Sequence, residues 1–273
     1  MAVITLTTDF GTLDPYVGIM KGVILTICPD AKIVDITHHI EQGDILYGSI
    51  ILKESYRFFP KGSVHVAVVD PGVGGERRPI AISGDGYFFV GPDNGIFWPI
   101  IEGLRDFKVV HLKEPRFFLK EISYTFHGRD IFAPVAAHLL KGVDILDMGD
   151  PISDPVKLKI PTCTIGDNTI EGEVIRVDRF GNLITNIDKE SLDRFKGNRL
   201  KGIYLNDLHI AKKISKSYEE AGEGNFLAIV GSSNLLEISL SMGNACKELN
   251  LSRDQAVGKK IKVIYNKGIE CQT

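Results

Sequence analysis

The sequence predicts an α/β N-terminal domain with a mostly parallel sheet (residues 1–150), a linker (151–165), and an all-β, barrel-like C-terminal domain (166–273). Three observations predict this. From Ala2 to Val69 strand and helix patterns alternate as β-α-β-α-β, an order that needs crossover connections and so a largely parallel sheet covered on both faces. Between Gly149 and Pro161 the pairs Asp150-Pro151, Asp154-Pro155 and Ile160-Pro161 hold the chain extended. Beyond them the alternation gives way to short β-rich runs at the spacing of a small barrel or sandwich.

Each element has a local reason. Ala2 to Thr7 reads as a first strand, ended by Thr8-Asp9-Phe10-Gly11. Pro15 to Cys28 has helical spacing, with Val17, Met20, Val23, Ile24 and Ile27 on one face, and Pro29-Asp30 closes it. Lys32 to Ile36 is a second strand and Gly43 to Phe58 a second helix, stopped at Phe59-Pro60. Val64 to Val69 is an apolar, β-branched run of the kind a buried strand needs. Asp70-Pro71 ends it, and Gly72, Gly74 and Gly75 form a loop that can turn tightly and approach a ligand closely. Pro79 to Ser83 and Tyr87 to Val90 form a hairpin about Gly84-Asp85-Gly86. Gly91 to Gly95 is a further polar turn, Val109 to Leu112 another strand, and Phe126 to Leu140 a helix ended by Gly142. In the second half, strands are expected at Ile170–Val177, Leu183–Ile187, Leu200–Leu205, Ala228–Val230, Leu235–Leu240 and Lys260–Tyr265.

Composition narrows the function. With 44% hydrophobic residues in 273, the chain can bury a sizeable core as one large or two smaller domains. A net charge of −3 with scattered basic residues argues against nucleic acid as the main partner. Cys28, Cys163, Cys246 and Cys271 form no CxxC pair, which argues against zinc ribbons and redox motifs. No basic segment precedes a long apolar one and no apolar run reaches about 18 residues, so neither a leader nor a membrane span is expected. A cytoplasmic protein with reduced thiols fits this reading.

The candidate chemistry lies in the turns. Asp9 and Asp70 each follow an apolar strand, and in a parallel sheet both would reach the same rim, where open α/β sheets bind ligands. Either alone reads more readily as a turn or cap residue, and the pair is more suggestive than either member. Arg77 and Arg78 come one loop later and can fold back toward Asp70, but Gly72–Arg78 fits no phosphate-binding fingerprint. His127, at the start of a helix, could serve as a base or hydrogen-bond donor. Arg129-Asp130 reads as a local ion pair of little energetic worth. His38 and His39 are adjacent on an extended segment and would point to opposite faces, which argues against their sharing a metal. Asp178 to Asn182 is a polar turn in which Asn182 could read a base edge and Phe180 could stack on a ring, or an ordinary hairpin. Gly231-Ser-Ser-Asn234 offers small donors suited to a carboxylate, or is a plain turn; without a nucleophile elbow neither serine reads as a nucleophile.

Six segments in order carry a resemblance that spans nearly the whole chain: Thr7-Thr-Asp-Phe-Gly-Thr12, Val69-Asp-Pro-Gly-Val-Gly-Gly75, Gly91-Pro-Asp-Asn-Gly95, Phe126-His-Gly-Arg-Asp130, Asp178-Arg-Phe-Gly-Asn182 and Ser232-Ser-Asn-Leu-Leu-Glu237. Together they resemble the S-adenosylmethionine hydroxide adenosyltransferases, the adenosine-forming hydrolases related to the fluorinating and chlorinating enzymes that use the same substrate. The resemblance implies an α/β domain followed by a β-barrel domain. It also implies a homotrimer with each site between the N-domain of one subunit and the C-domain of the next. Carried over by position, Asp9 would hold the ribose hydroxyls, with Asp14, Pro15 and Tyr16 on the ribose side. Asp178 would meet the methionine ammonium, Asn182 the adenine with Phe180 flanking it, and Ser232 the methionine carboxylate. Ser233 stands where the halogenases have an arginine, Glu237 closes the Ser232 segment, and Leu240, Ser241 and Met242 match a stretch whose backbone reads the adenine edge.

The catalytic set implied by the resemblance is Asp70, Arg77 and His127, with Arg78 the adjacent alternative to Arg77. The fluorinating relatives have a tyrosine where Asp70 stands and an extra N-domain loop; neither is found here, which favours water over halide as nucleophile. The implied reaction is in-line attack of water or hydroxide on C5′ of S-adenosylmethionine, giving adenosine and L-methionine. A neutral thioether leaves, so no metal and no cofactor is expected. The alternatives are a halide adenosyltransferase, a metal-dependent phosphohydrolase built on Asp9, Asp70 and Asn94, and a non-catalytic sensor of S-adenosylmethionine or adenosine. The expected partner is a small molecule, with neither nucleic acid nor membrane.

Overall fold

The structure, a computed structural model, describes residues 1–266. Cys271 lies outside the described residues. The chain divides into two compact units, Met1–Ile160 and a second beginning at Pro161.

The first unit is built on a seven-stranded sheet. Its elements run β1 (Ile4–Thr8), α1 (Tyr16–Ile27), β2 (Ile33–Thr37), α2 (Ile45–Ser55), β3 (Val64–Val68), β4 (Pro79–Gly84), β5 (Tyr87–Pro92), α3 (Trp98–Ile101), β6 (Phe107–Leu112), α4 (Ala133–Leu140) and β7 (Gly149–Ile152). The strand order is β2-β1-β3-β5-β4-β6-β7. The sheet is only partly parallel, which corrects the expectation of a mostly parallel one. Pairings β1–β2, β1–β3 and β3–β5 are parallel; β4–β5, β4–β6 and β6–β7 are antiparallel. The hairpin explains the change. Asp85 and Gly86 both have positive φ (49° and 81°), the form of a two-residue turn that returns the chain antiparallel with no room for a crossover.

β3 shows why the sheet is covered on both faces. Val64, Val66 and Val68 pack into a core with Val17, Met20 and Ile24 of α1 and with α4. Ala67 and Val69 point the other way, into a core with Leu52 of α2 and Ile100 of α3. On that second face the buried His65 bonds Thr5 Oγ1 through Nδ1 at 2.8 Å amid Tyr56, Phe59, Tyr87 and Phe89. Burial drives its pKa down to about 4, since a charged imidazole there would be stripped of water. His38 is likewise a core residue, bonded through Nδ1 to Thr8 Oγ1 at 2.8 Å.

The second unit runs β8 (Thr164–Ile165), β9 (Thr169–Val177), β10 (Leu183–Asp188), α5 (Lys189–Asp193), β11 (Leu200–Leu205), β12 (Leu208–Ala211), β13 (Ile214–Ser215), β14 (Phe226–Val230), β15 (Leu235–Leu240), α6 (Ala245–Glu248), α7 (Arg253–Ala256) and β16 (Lys260–Tyr265). Its nine strands form one nearly closed, barrel-like sheet in the order β12-β11-β16-β9-β10-β15-β14-β13, with β8 on β9. Alternate residues such as Val174, Leu183, Ile203, Ile238 and Val263 fill its interior. β7 and β8 fall at the two ends of the stretch read as linker. Among the described residues no helix is long and apolar enough to cross a membrane.

Candidate active site

Strand order makes the site. β1 lies between β2 and β3, so the chain leaves β1 to one side and comes back on the other. Such a switch opens a crevice at the carboxyl ends of the two strands. Thr8 pairs with Val68, so Asp9 and Asp70, one and two residues farther on, emerge side by side. They line a cavity of about 610 Å³ with Phe10, Asp14, Tyr16, Gln42, Gly43, Val68, Pro71, Val73, Thr125, Phe126, His127 and Gly128. Among the described residues, three carboxylates line it and no lysine or arginine does.

Arg77 turns back across the glycine loop onto Asp70. Its Nε donates to both carboxylate oxygens at 3.0 Å and its Nη2 to Oδ2 at 2.5 Å. The same Nη2 donates to Nδ1 of His127 at 2.7 Å. Both members of the ion pair are withdrawn from solvent, with side chains 9% and 4% exposed, and Arg77 lies over the Phe132 ring. An arginine has donors only, so Nδ1 of His127 is the acceptor and the proton of the neutral ring sits on Nε2. Burial lowers the His127 pKa and the positive charge of Arg77 lowers it further, which keeps the ring neutral near pH 7. Arg78 goes elsewhere: it pairs with the buried Asp93 and with Asp154. Of the two adjacent arginines, then, it is Arg77 that reaches Asp70 and His127.

His127 precedes a single wide turn, Gly128–Phe132, that runs into α4. The turn is fastened by Asp130, which is fully buried, takes two N–H bonds from Arg129 and accepts from the Ser123 N–H. The pair is local, as expected, but its acidic member is buried.

Asp9 accepts from the Gly43 N–H at 2.9 Å through Oδ2. Burial raises its pKa, the Gly43 bond opposes the rise, and the charge of Asp70 adds to it. Asp14 and Tyr16 stand on the exposed side of the cavity, and Tyr16 meets Phe10 and Phe126 edge to face at 5.9 and 5.2 Å.

The second unit gathers its candidates around β15. Asp178 organises the β9–β10 turn: Oδ1 accepts from the Phe180 and Asn182 N–H groups at 2.9 Å, and Oδ2 from Asn182 Nδ2 at 2.8 Å. Asn182 is thus buried with one amide N–H engaged, its second N–H and its side-chain oxygen being uncommitted in these bonds, while Phe180 is 75% exposed. Leu183 pairs with Ile238, which sets the turn alongside the end of β15, where Ser241 is buried and Met242 is 87% exposed with φ +57°. At the other end of β15, Ser232 is exposed, while Ser233 Oγ is buried without a hydrogen-bond partner. Glu237 is buried and accepts from the Tyr218 hydroxyl at 3.2 Å; burial, then the charge of Glu237, drives that phenol up to about 12.

Sequence reasoning missed Gln42, Gly43, Thr125 and the aromatic pair Phe10 and Phe126 as cavity residues. Phe10 and Phe126 stood inside two of the quoted motifs. Gly43, with φ +75°, had only its glycine to mark it.

Residues 4–149 match the model of the SAM hydroxide adenosyltransferase N-terminal domain, and residues 172–258 that of the C-terminal domain. The chain belongs to the SAM hydroxide adenosyltransferase family. Among its relatives, a protein of Methanocaldococcus jannaschii named (R)-S-adenosyl-L-methionine hydrolase is 42% identical over 260 residues, 91% of this chain and 92% of the relative. One of the same name from Salinispora arenicola is 35% identical over 248 residues, 89% and 91% of the two chains. The solved structure of an uncharacterized conserved protein from Thermotoga maritima superposes with a TM-score of 0.89 at 32% identity, covering 96% of this chain and all of that one. The family's N-terminal match contains Asp9, Asp14, Tyr16, Asp70, Arg77 and His127; its C-terminal match contains Asp178 through Met242.

Proposed function

We propose that this member of the SAM hydroxide adenosyltransferase family hydrolyses S-adenosyl-L-methionine to adenosine and L-methionine. The observation that carries the reading is the Asp70–Arg77–His127 array at the edge of a cavity lined by carboxylates. Such a cavity suits a sulfonium cation. Asp9 keeps an oxygen for the ribose hydroxyls while Gly43 holds the other. Asp14 and Tyr16 flank the ribose. Asp178, Phe180, Asn182, Ser232, Ser233, Glu237, Ser241 and Met242 form the amino-acid and adenine half.

In the reaction, Nε2–H of His127 donates to the oxygen of a water and Asp70 accepts one of its protons. A water lone pair forms the O–C5′ bond as the C5′–S bond breaks. The bonding pair goes to sulfur, leaving methionine as a neutral thioether, and the proton on Asp70 passes to solvent. No group need protonate the leaving sulfur. Holding the water in line can supply about 7–11 kcal/mol in favourable cases, and a positioned base about 10²–10⁴-fold more.

The two halves complete one another between subunits of a homotrimer. Supporting this, Leu13 and Tyr124, which flank the segments at the cavity, are 101% and 81% exposed, and Phe180 and Met242 are large exposed apolar groups on the second unit. A cytoplasmic location belongs to the same reading.

The test is incubation of the purified protein with S-adenosylmethionine in EDTA, using the R and S sulfonium epimers separately because the named relatives specify R. Adenosine and methionine in equal amounts from the R epimer are expected. Chelator-sensitive turnover, 5′-halo-adenosine on adding chloride or bromide, or tight binding without turnover would each replace this reading with a different one.

A further inference from the structure

Asp70 and Arg77 must hold a fixed relation for either to serve, and the segment joining them is tied internally by two turns, Val73 N–H to the Asp70 carbonyl at 3.2 Å and Gly75 N–H to the Gly72 carbonyl at 3.1 Å, neither of which reaches Arg77. Residues 71–76 include Gly72, Gly74 and Gly75, the residue type with the most backbone freedom to lose. Something outside the loop has to fix its two ends. The Gly91–Gly95 turn, a quoted motif that the hydrolase reading leaves without a role, touches both.

At the first end, Asn94 Nδ2 donates to the Val69 carbonyl at 2.8 Å, one residue before Asp70. Its Oδ1 accepts from the Ile96 N–H at 3.2 Å, which fixes the amide's orientation. At the second end, the Asp93 N–H donates to the Arg78 carbonyl at 2.8 Å, and its carboxylate takes Arg78 Nε at 2.8 Å and Nη2 at 2.6 Å, one residue after Arg77. The Asp93 side chain is 2% exposed and also accepts from the Val156 N–H at 2.8 Å. A Cβ on Gly91 would lie 2.2 Å from the Ala67 carbonyl oxygen, so the turn can approach β3 this closely only with glycine there.

We propose that this turn is a positioning device for the Asp70–Arg77 pair, with Asn94 setting the Asp70 end and Asp93, through Arg78, setting the Arg77 end. Arg78 directly follows Arg77, so its anchor on Asp93 fixes the backbone from which Arg77 reaches Asp70 and His127. Neither Asn94 nor Asp93 lines the cavity. The inference rests on the hydrolase reading for its kinetic consequence and on geometry alone for its effect on His127.

The test uses the full chain with Asn94→Asp and Asn94→Ala. Asn94→Asp keeps the acceptor for Ile96 but replaces the donor to Val69 with a charged oxygen, whereas Asn94→Ala removes both contacts without adding charge. Both variants are expected to lower kcat at least 30-fold, with KM for S-adenosylmethionine and affinity for adenosine changed less than threefold. A nuclear-magnetic-resonance titration of His127 gives the readout independent of turnover. In the parent, Nδ1 is expected to stay unprotonated and the pKa below 6.5; in both variants, the pKa is expected to rise as Arg77 slackens. Parent turnover with an unchanged kcat in Asn94→Asp, or losses of kcat, affinity and melting temperature in step, would overturn the positioning role. A parent without turnover would overturn the hydrolase reading instead. The His127 titration would still decide the brace: an unmoved pKa in both variants sinks it.

Discussion

Asp70→Asn separates positioning from proton removal. In the parent, Asp70 receives three N–H contacts from Arg77 at 2.5–3.0 Å, and the same Arg77 Nη2 reaches Nδ1 of His127. The amide keeps one acceptor oxygen but loses the charge and the ability to take a proton. A positioned base is worth about 10²–10⁴-fold, which is about 3–5 kcal/mol of barrier at 1.36 kcal/mol per tenfold. The same change leaves a guanidinium whose side chain is 9% exposed without its counter-charge. Complete removal of one partner from a buried pair costs roughly 3–5 kcal/mol of stability. The isosteric amide retains part of the bonding, so the melting temperature is expected to fall without the fold being lost. Steady-state kinetics with adenosine detection give kcat and KM, and calorimetry gives the affinity for adenosine. The expected result is a kcat lower by at least 10² with KM changed less than threefold, the pattern of an interaction made only in the transition state. A kcat within threefold of the parent would refute the reasoning and remove Asp70 from the chemistry.

Three other outcomes follow from particular atoms. Protonating His127 would put a hydrogen on Nδ1 facing Arg77, so kcat/KM should fall on the acid side with an apparent pKa below 6.5; a limb at or above 6.5 would contradict the Arg77 contact. His65 has a pKa of about 4 in the fold against about 6.5 unfolded, so its contribution is present above pH 6.5 and is lost as pH falls toward 4, about 3 kcal/mol in all; denaturant titration of His65→Gln should show a flatter pH dependence across that window. Gly181 has φ +90° and a Cβ there would lie 2.1 Å from Asn244, so Gly181→Ala should open the Asp178 turn and raise KM at least tenfold, read by the same kinetics.

The parts of this structure that sequence revealed are those fixed by neighbours along the chain. Val64 to Val69 declares a buried strand because every side chain is apolar or β-branched except His65, which the fold absorbs with Thr5 and an aromatic cage. The shared rim of Asp9 and Asp70 follows from chain order alone. The sheet's antiparallel half was readable too: a two-residue turn at Asp85-Gly86 forces that direction on β4 and β5, whatever the preceding alternation suggests. Arg77 and Arg78 were not separable, because the choice depends on Asp93 and Asp154, 15 and 76 residues from Arg78, and on His127, 50 from Arg77. β12 and β13 escaped for a plainer reason: four and two residues are too few to show a period, although Asn206-Asp207 marks the turn before β12. The Asp178–Asn182 contact, by contrast, is four residues long and a known habit of Asp in turns.

The charge of the cavity constrains where the acceleration can come from. Asp9 and Asp14 line it and attract a sulfonium, while the charge of Asp70 is balanced by Arg77, but the positive charge on sulfur disappears as the C5′–S bond breaks. Carboxylates therefore favour the bound substrate over the transition state, and an interaction of that kind tightens binding without raising kcat. It also favours release, since neither adenosine nor zwitterionic methionine retains the net charge that held the substrate. On the proposed hydrolase reading, the rate is then gained at the nucleophile, beside the Arg77 that holds Asp70 and His127. The same carboxylates discriminate between nucleophiles. With an effective dielectric of about 20, a unit negative charge at about 4 Å costs an approaching anion about 4 kcal/mol. A halide entering here meets that repulsion with a neutral imidazole and the already-paired Arg77 as its only nearby donors among the described catalytic groups, whereas a water carries no charge to repel and can use both the His127 donor and the Asp70 acceptor. A carboxylate at position 70 thus favours water by cancelling the charge with which Arg77 would attract a halide, as well as by accepting a proton. On this reasoning Asp70→Asn should lose hydrolysis and at the same time relax the exclusion of chloride.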